Sequence, residues 1–152
     1  MIALCGVHLA ACSRLEGPAD PVAPTREVVF TTSSGARAQL DVGVSDSSDE
    51  RERGLMGIED LGPNEGMAFV FDEPADGTFW MKDTLIPLSI AFVDDAGTIV
   101  TVLEMEPCDV DPCPTYGADA PYVLAVEANE GYFDRMGIKE GDRARLGEAA
   151  DA

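Results

Sequence analysis

Leu88-Ser89-Ile90-Ala91-Phe92-Val93, Asp94-Asp95-Ala96-Gly97 and Thr98-Ile99-Val100-Thr101-Val102-Leu103 follow one another without a break. Two runs of apolar and β-branched residues enclose a polar tetrapeptide that ends in glycine, which predicts a β-hairpin. Working outward, Ala36 to Val44 alternates, with Ala38, Leu40, Val42 and Val44 on one face of a half-buried strand. Val28-Val29-Phe30 opens another strand, and Met67 to Phe71, Thr78 to Lys82 and Tyr122 to Ala128 are further short apolar runs between turns. Asp142 to Leu146 supplies a last strand. Ser47 or Ser48 is placed to cap a short helix with Asp49 and Glu50 in its first turn, ending near Gly57. A second short helix is expected over Glu130 to Met136, with Gly137 as its left-handed cap. The pattern predicts a mainly β protein: a small β-barrel or sandwich-like single domain over residues 27–148, with one or two short helices.

The chain has 152 residues, 45% of them hydrophobic, enough for one domain with a real core. Its 29 acidic side chains outnumber 10 basic ones, for a formal charge of -19. Such a surface repels phosphate backbones and anionic headgroups, which argues against nucleic acid as a partner. His8 is the sole histidine and lies in the leader, so a processed chain contains none. Histidine-based triads, histidine-zinc hydrolysis and histidine pH switching are thereby excluded. No phosphate-binding glycine loop or dinucleotide fingerprint is present, and no cofactor is expected.

Residues 1–11 read as a signal peptide. They are apolar and end in Leu9-Ala10-Ala11-Cys12, which resembles a bacterial lipobox with Cys12 as the lipidated residue. The leader is short and carries no Lys or Arg near its start, unlike an ordinary export signal; a start codon upstream of Met1 would account for both features. It is too short for a membrane span, which takes about 20 apolar residues. Residues 12–26, rich in Pro, Ala and acidic side chains, read as a flexible tether, and 149–152 as a tail. The expected location is extracytoplasmic, either anchored to a membrane by lipid or secreted. With Cys5 lost and Cys12 lipidated, Cys108 and Cys113 remain, in a loop punctuated by Pro107, Pro112 and Pro114. In an exported protein this spacing favours a local disulfide over a metal site, because two thiolates do not complete a zinc shell.

A string of motifs spans Arg53 to Pro87: Gly54-Leu55-Met56, Gly66-Met67 with Phe69 and Phe71, Phe79-Trp80-Met81-Lys82, and Thr84 with Ile86-Pro87. With Pro107-Cys108, Tyr122-Val123-Leu124, Gly137-Ile138-Lys139 and Gly141-Asp142, these make residues from about Arg37 to Leu146 resemble the bacterial and archaeal domain-of-unknown-function family 192. The resemblance implies a β-rich barrel-like or sandwich domain, often exported, with no agreed reaction. Three positions depart from the family pattern: Ile58 stands where an Arg is usual, Asp83 where an Asn is, and Ser89 where an Asp is.

Along a strand, Phe79 and Met81 share one face and Trp80 and Lys82 the other. If the first pair enters the core, an indole and a cation point outward, with Arg53, Asp83 and Thr84 as neighbours suited to a sugar or peptide ligand. The alternative is that Trp80 fills the core and Lys82 snorkels from it. Met56, Met67 and Met81 allow a second idea, a thioether site for Cu(I), against their use as ordinary core fillers. A third is glycan hydrolysis by a carboxylate pair drawn from Glu65, Asp83, Glu104, Glu106, Asp109 and Asp111, against a solvated acidic surface. The sequence favours a binding or accessory module of the cell envelope without enzymatic activity. A Cu(I) metallochaperone and a carboxylate-dependent hydrolase stand as alternatives.

Overall fold

Strand formation follows the alternation closely. The computed structural model describes residues 26–148, and among these it contains β1 (Arg26–Thr31), β2 (Arg37–Ser45), α1 (Ser48–Arg53), β3 (Glu65–Ala75), β4 (Thr78–Trp80), β5 (Leu88–Val93), β6 (Ile99–Met105), β7 (Thr115–Gly117), β8 (Tyr122–Asn129), α2 (Tyr132–Met136) and β9 (Arg143–Leu146). The leader, His8, Cys5, Cys12 and the tail lie outside the described residues. Of the tether only Arg26 is described, as the first residue of β1.

Seven strands form one sheet in the order β6-β5-β8-β3-β2-β1-β9, while β4 and β7 pair as a separate ribbon. All neighbours are antiparallel except β2 and β3. The sheet curls into a half-barrel. At one end its outermost strands come together, where Ala144 N donates to Gly97 O at 3.0 Å and Ile99 N to Asp142 O at 2.9 Å. The expected hairpin is present: Gly97 turns at φ 78°, and Thr98 N donates to the Asp94 carboxylate at 2.7 Å.

Both faces of the sheet are covered, which is why all six residues of β5 are buried. One face gathers Phe30, Leu40, Val42, Ala91, Val93 and Val126 beneath α2, whose Tyr132 and Phe133 are fully buried. Phe30 meets Phe133 edge-on at 5.6 Å, and Tyr132 Oη donates to Gln39 O at 2.8 Å. The other face carries Met67, Phe69, Ile90, Phe92, Met105 and Ala125, and is covered by Leu55, Leu61, Met81 and the β4–β7 ribbon. Gly66 lets β3 lie against β8: a Cβ there would fall 2.2 Å from Glu127 O.

Boundaries differ from expectation in a few places. α1 is capped by Ser47 in a reciprocal capping box with Glu50 but stops at Gly54, not Gly57, because Gly54 takes φ 45° and turns the chain inward. α2 starts at Tyr132 and ends at the expected left-handed Gly137, φ 68°. β3 continues past Phe71 to Ala75. Asp142 does not begin the last strand; its carboxylate accepts from Ser33 N and Lys139 N, at 2.8 and 2.9 Å. Among the described residues no helix is long and apolar enough to cross a membrane.

Candidate functional site

The second face is not completely filled. A cavity of about 270 Å³ opens between the end of α1 and the β4–β7 ribbon. Phe69, Phe71, Phe79 and Tyr122 wall it, Arg51, Glu52, Arg53 and Trp80 stand around its mouth, and the buried Glu127 also lines it. The rings support one another edge-on, Phe79 against Phe69 at 5.0 Å and against Phe92 at 5.5 Å, and Phe71 against Tyr122 at 5.3 Å. Tyr122 Oη donates to Gly77 O at 3.0 Å, tying β8 to the turn before β4. Its phenol is raised above the ordinary range by burial, with a further push from Asp76.

The structure brings three of the expected ligand-binding residues to this cavity. Arg53, Trp80 and Thr84 line it. Phe79 and Met81 do turn inward, and Trp80 on the opposite side is 45% exposed with Lys82 Nζ 5.3 Å from its ring centroid. Lys82 therefore joins the rim through the indole without lining the cavity. Asp83 does not line it either. It has φ 55°, and its carbonyl accepts from Gly57 N at 2.9 Å, so it forms a turn. Asn and Asp both tolerate that left-handed conformation, so the departure from the family's Asn preserves the turn. Ser89 lies on the α2 side of the sheet, its Oγ 2.6 and 2.8 Å from the two oxygens of the Glu104 carboxylate. Ile58 packs against the core of the cavity face.

The disulfide Cys108–Cys113 is formed. A backbone bridge between Lys82 and Cys108 places its loop beside the Trp80 segment. Disulfides of this kind persist in oxidising, extracytoplasmic compartments.

The methionines have different surroundings, although Met67 and Met81 share one core cluster. Met56 lines the cavity, Met81 is packed in the core, and the Met67 sulfur accepts from Ser45 Oγ at 3.2 Å. None of the six carboxylates considered from the sequence reaches the cavity: Glu65 accepts from Gly62 N, Asp83 turns the chain, Glu104 holds Ser89, and Glu106, Asp109 and Asp111 are exposed. No group of three or more His, Cys, Asp or Glu side chains placed to hold a metal occurs among the described residues.

Two residues of the site escaped the sequence reading. Arg51 is fixed on the rim, donating to Val70 O at 2.9 Å and stacking 4.9 Å from the Phe71 ring centroid. Glu127 is 4% exposed, and burial alone raises its carboxyl to about 8. Its signal was an acid inside the unbroken apolar strand Tyr122–Ala128. A broader depression of about 720 Å³ runs between β1 and β9, flanked by Arg37, Arg143 and Arg145. Those arginines are exposed, and Arg143 is held by Ala96 O; the smaller cavity is the better site because it joins aromatic walls to a buried acid.

Two solved structures share this architecture. One is a Sinorhizobium meliloti 1021 protein provisionally assigned as a transcription regulator, 31% identical, TM-score 0.74, with 80% of this chain and 92% of that one covered. The other is a Novosphingobium aromaticivorans DSM 12444 protein of unknown function, 31% identical, TM-score 0.75, covering 92% of this chain and 99% of that one. No curated protein matches. The match to the uncharacterised family DUF192 runs over residues 29–146, from β1 to the last residue of β9, and includes every element that builds the cavity. The chain belongs to domain-of-unknown-function family 192.

Proposed function

We propose that this protein is an exported ligand-binding module of the cell envelope, without enzymatic activity, held to the membrane by lipid on Cys12 or secreted. The observation that carries the reading is Trp80: a half-exposed indole, with a lysine over its ring, at the mouth of an aromatic-walled cavity. Packing alone does not call for an exposed tryptophan there, whereas stacking against a sugar ring or peptide does. Arg53 and Thr84 orient the ligand by hydrogen bonds from the cavity lining, and Lys82 does so from beside the indole. The disulfide and the Leu9-Ala10-Ala11-Cys12 leader motif support export. A charge of -19 disfavours a nucleic-acid partner, including the role provisionally assigned to the Sinorhizobium protein.

The test uses the single tryptophan. Emission and acrylamide quenching are recorded with envelope glycan fragments and with peptides. A quenchable Trp80 shielded by one ligand class supports the reading, and Trp80→Ala should abolish ligand retention in a folded protein. Retention unchanged in that variant, or collapse of the fold, overturns it. Mass spectrometry of protein from the native host tests the anchor: an unmodified Cys12 refutes lipidation.

A further inference from the structure

Glu127 occupies the centre of the sheet, paired in register with Met67 of β3 on one side and Ile90 of β5 on the other. Its backbone cannot leave that position without breaking three strands. Among the described residues no N–H or O–H donates to its carboxyl, although no fully buried side-chain nitrogen or oxygen there lacks a partner. The Glu127 oxygens are therefore open to the cavity that the residue lines.

The surroundings of this acid are specific in sign. Its cross-strand neighbours Met67 and Ile90 carry no charge. From α1, Arg51, Glu52 and Arg53 face the mouth, and Arg51 is committed to Val70 O and the Phe71 ring. From its own strand the facing group is Tyr122, whose hydroxyl is committed to Gly77 O. Burial is the sole cause of the displaced titration of Glu127, so none of these charges compensates it. The aromatic ring faces that wall the space carry negative potential, which disfavours an anion and favours a cation.

We propose that the cavity recognises a protonated amine, which enters between the aromatic side chains and pairs with the Glu127 carboxylate. This rests on the cavity being the ligand site. Arg53 at the mouth opposes a ligand that is cationic along its whole length, so the ammonium is a terminal group. The shared chemistry is a primary ammonium, carried by a free amino sugar or by a peptide N-terminus. At neutral pH the unliganded acid holds its proton. Binding releases that proton to solvent, and the ammonium supplies the missing opposite charge.

The experiment titrates the intact protein with benzylamine, which stays protonated throughout, and with its neutral isostere benzyl alcohol, following cavity resonances by NMR and Trp80 emission. Amine affinity should exceed that of the alcohol at least about tenfold, and should rise up to about tenfold per pH unit from about pH 6 before levelling near pH 8. Glu127→Gln, nearly isosteric, should erase both the preference and the slope while the fold persists. Glucosamine and alanyl-alanine, each against its N-acetyl form, then identify the source: loss of binding on acetylation supports the proposal for that ligand. Equal binding of amine and alcohol, affinity falling as pH rises, or an unaltered Glu127→Gln variant overturns amine recognition. Binding of neutral probes alone does so too, yet leaves the cavity as the ligand site. No response from any probe also overturns it, and the Trp80→Ala retention assay then judges the broader reading separately.

Discussion

The two faces of the central sheet obey the same alternation but are closed differently. On one face α2 lays Tyr132 and Phe133 into the groove of the half-barrel, and Ile138 completes the seal. On the other, an irregular segment after α1 and the short β4–β7 ribbon cover the sheet. A helix presents a continuous row of side chains and fills what it covers. A loop and a three-residue ribbon cannot tile a curved surface, and the remainder is the aromatic cavity that Glu127 lines. The functional candidate therefore lies where coverage of the sheet is irregular.

The comparison can be broken most forcefully at Gly66, on which both faces depend. Gly66→Ala sets a Cβ 2.2 Å from Glu127 O and must separate β3 from β8. The expected loss is about 5 kcal/mol, close to the whole stability of an ordinary domain, read by chemical denaturation. A loss below about 1 kcal/mol would show that the strands can part cheaply. Phe133→Ala attacks the sealed face alone. It should cost about 3–4 kcal/mol by leaving a hole under α2, while ligand-dependent Trp80 emission stays as it was.

Glu127→Gln sharpens the contrast from the open face. With its folded-state value near 8 against an ordinary value of 4.5, Glu127 holds a proton in the folded protein across that window that the unfolded chain has released. Stability therefore falls as pH rises from the lower value to the upper and is flat beyond it. The glutamine variant should lack this part of the slope and gain up to about 5 kcal/mol at alkaline pH, measured by paired denaturation curves. Parallel curves for the two proteins would place the carboxyl in contact with water. Trp80→Ala comes last: at 45% exposure it should change stability by no more than about 0.5 kcal/mol, even as it removes the indole at the cavity mouth.

Much of the scaffold was legible locally. The hairpin of β5 and β6 announces itself through Asp94 and Gly97, β2 through its alternation, α1 through Ser47 and Glu50, and the C-terminus of α2 through Gly137. Turn geometry, caps and side-chain period are properties of neighbours in sequence. β7 was not foreseen. Its three residues have no periodicity of their own and become a strand only because Thr78–Trp80 offers an edge. Similarly, β3 runs on to Ala75 because Tyr122 of β8 pairs with it there. Among the expected ligand residues, alternation left two orientations open for Trp80 and Lys82, and the structure takes the one with Phe79 and Met81 inward. Asp83 joins that set by its polar side chain, whereas the structure uses its backbone conformation.

Glu127 marks the boundary between the two kinds of information. While the sequence leaves open whether Trp80 points outward or fills the core, it does carry a mainly β domain, its family, its net charge of -19 and the disulfide between two cysteines five residues apart. Each depends on composition, on local period or on an ordered set of motifs. Only the tertiary structure decided that an acid in the middle of an apolar strand faces an uncompensated aromatic cavity. That outcome depends on Met67 and Ile90 across the strands and on a covering segment more than 70 residues earlier in the chain. The electrostatic state of a carboxyl is set by the dielectric and the charges that surround it in space, and neither is written in its neighbours along the chain.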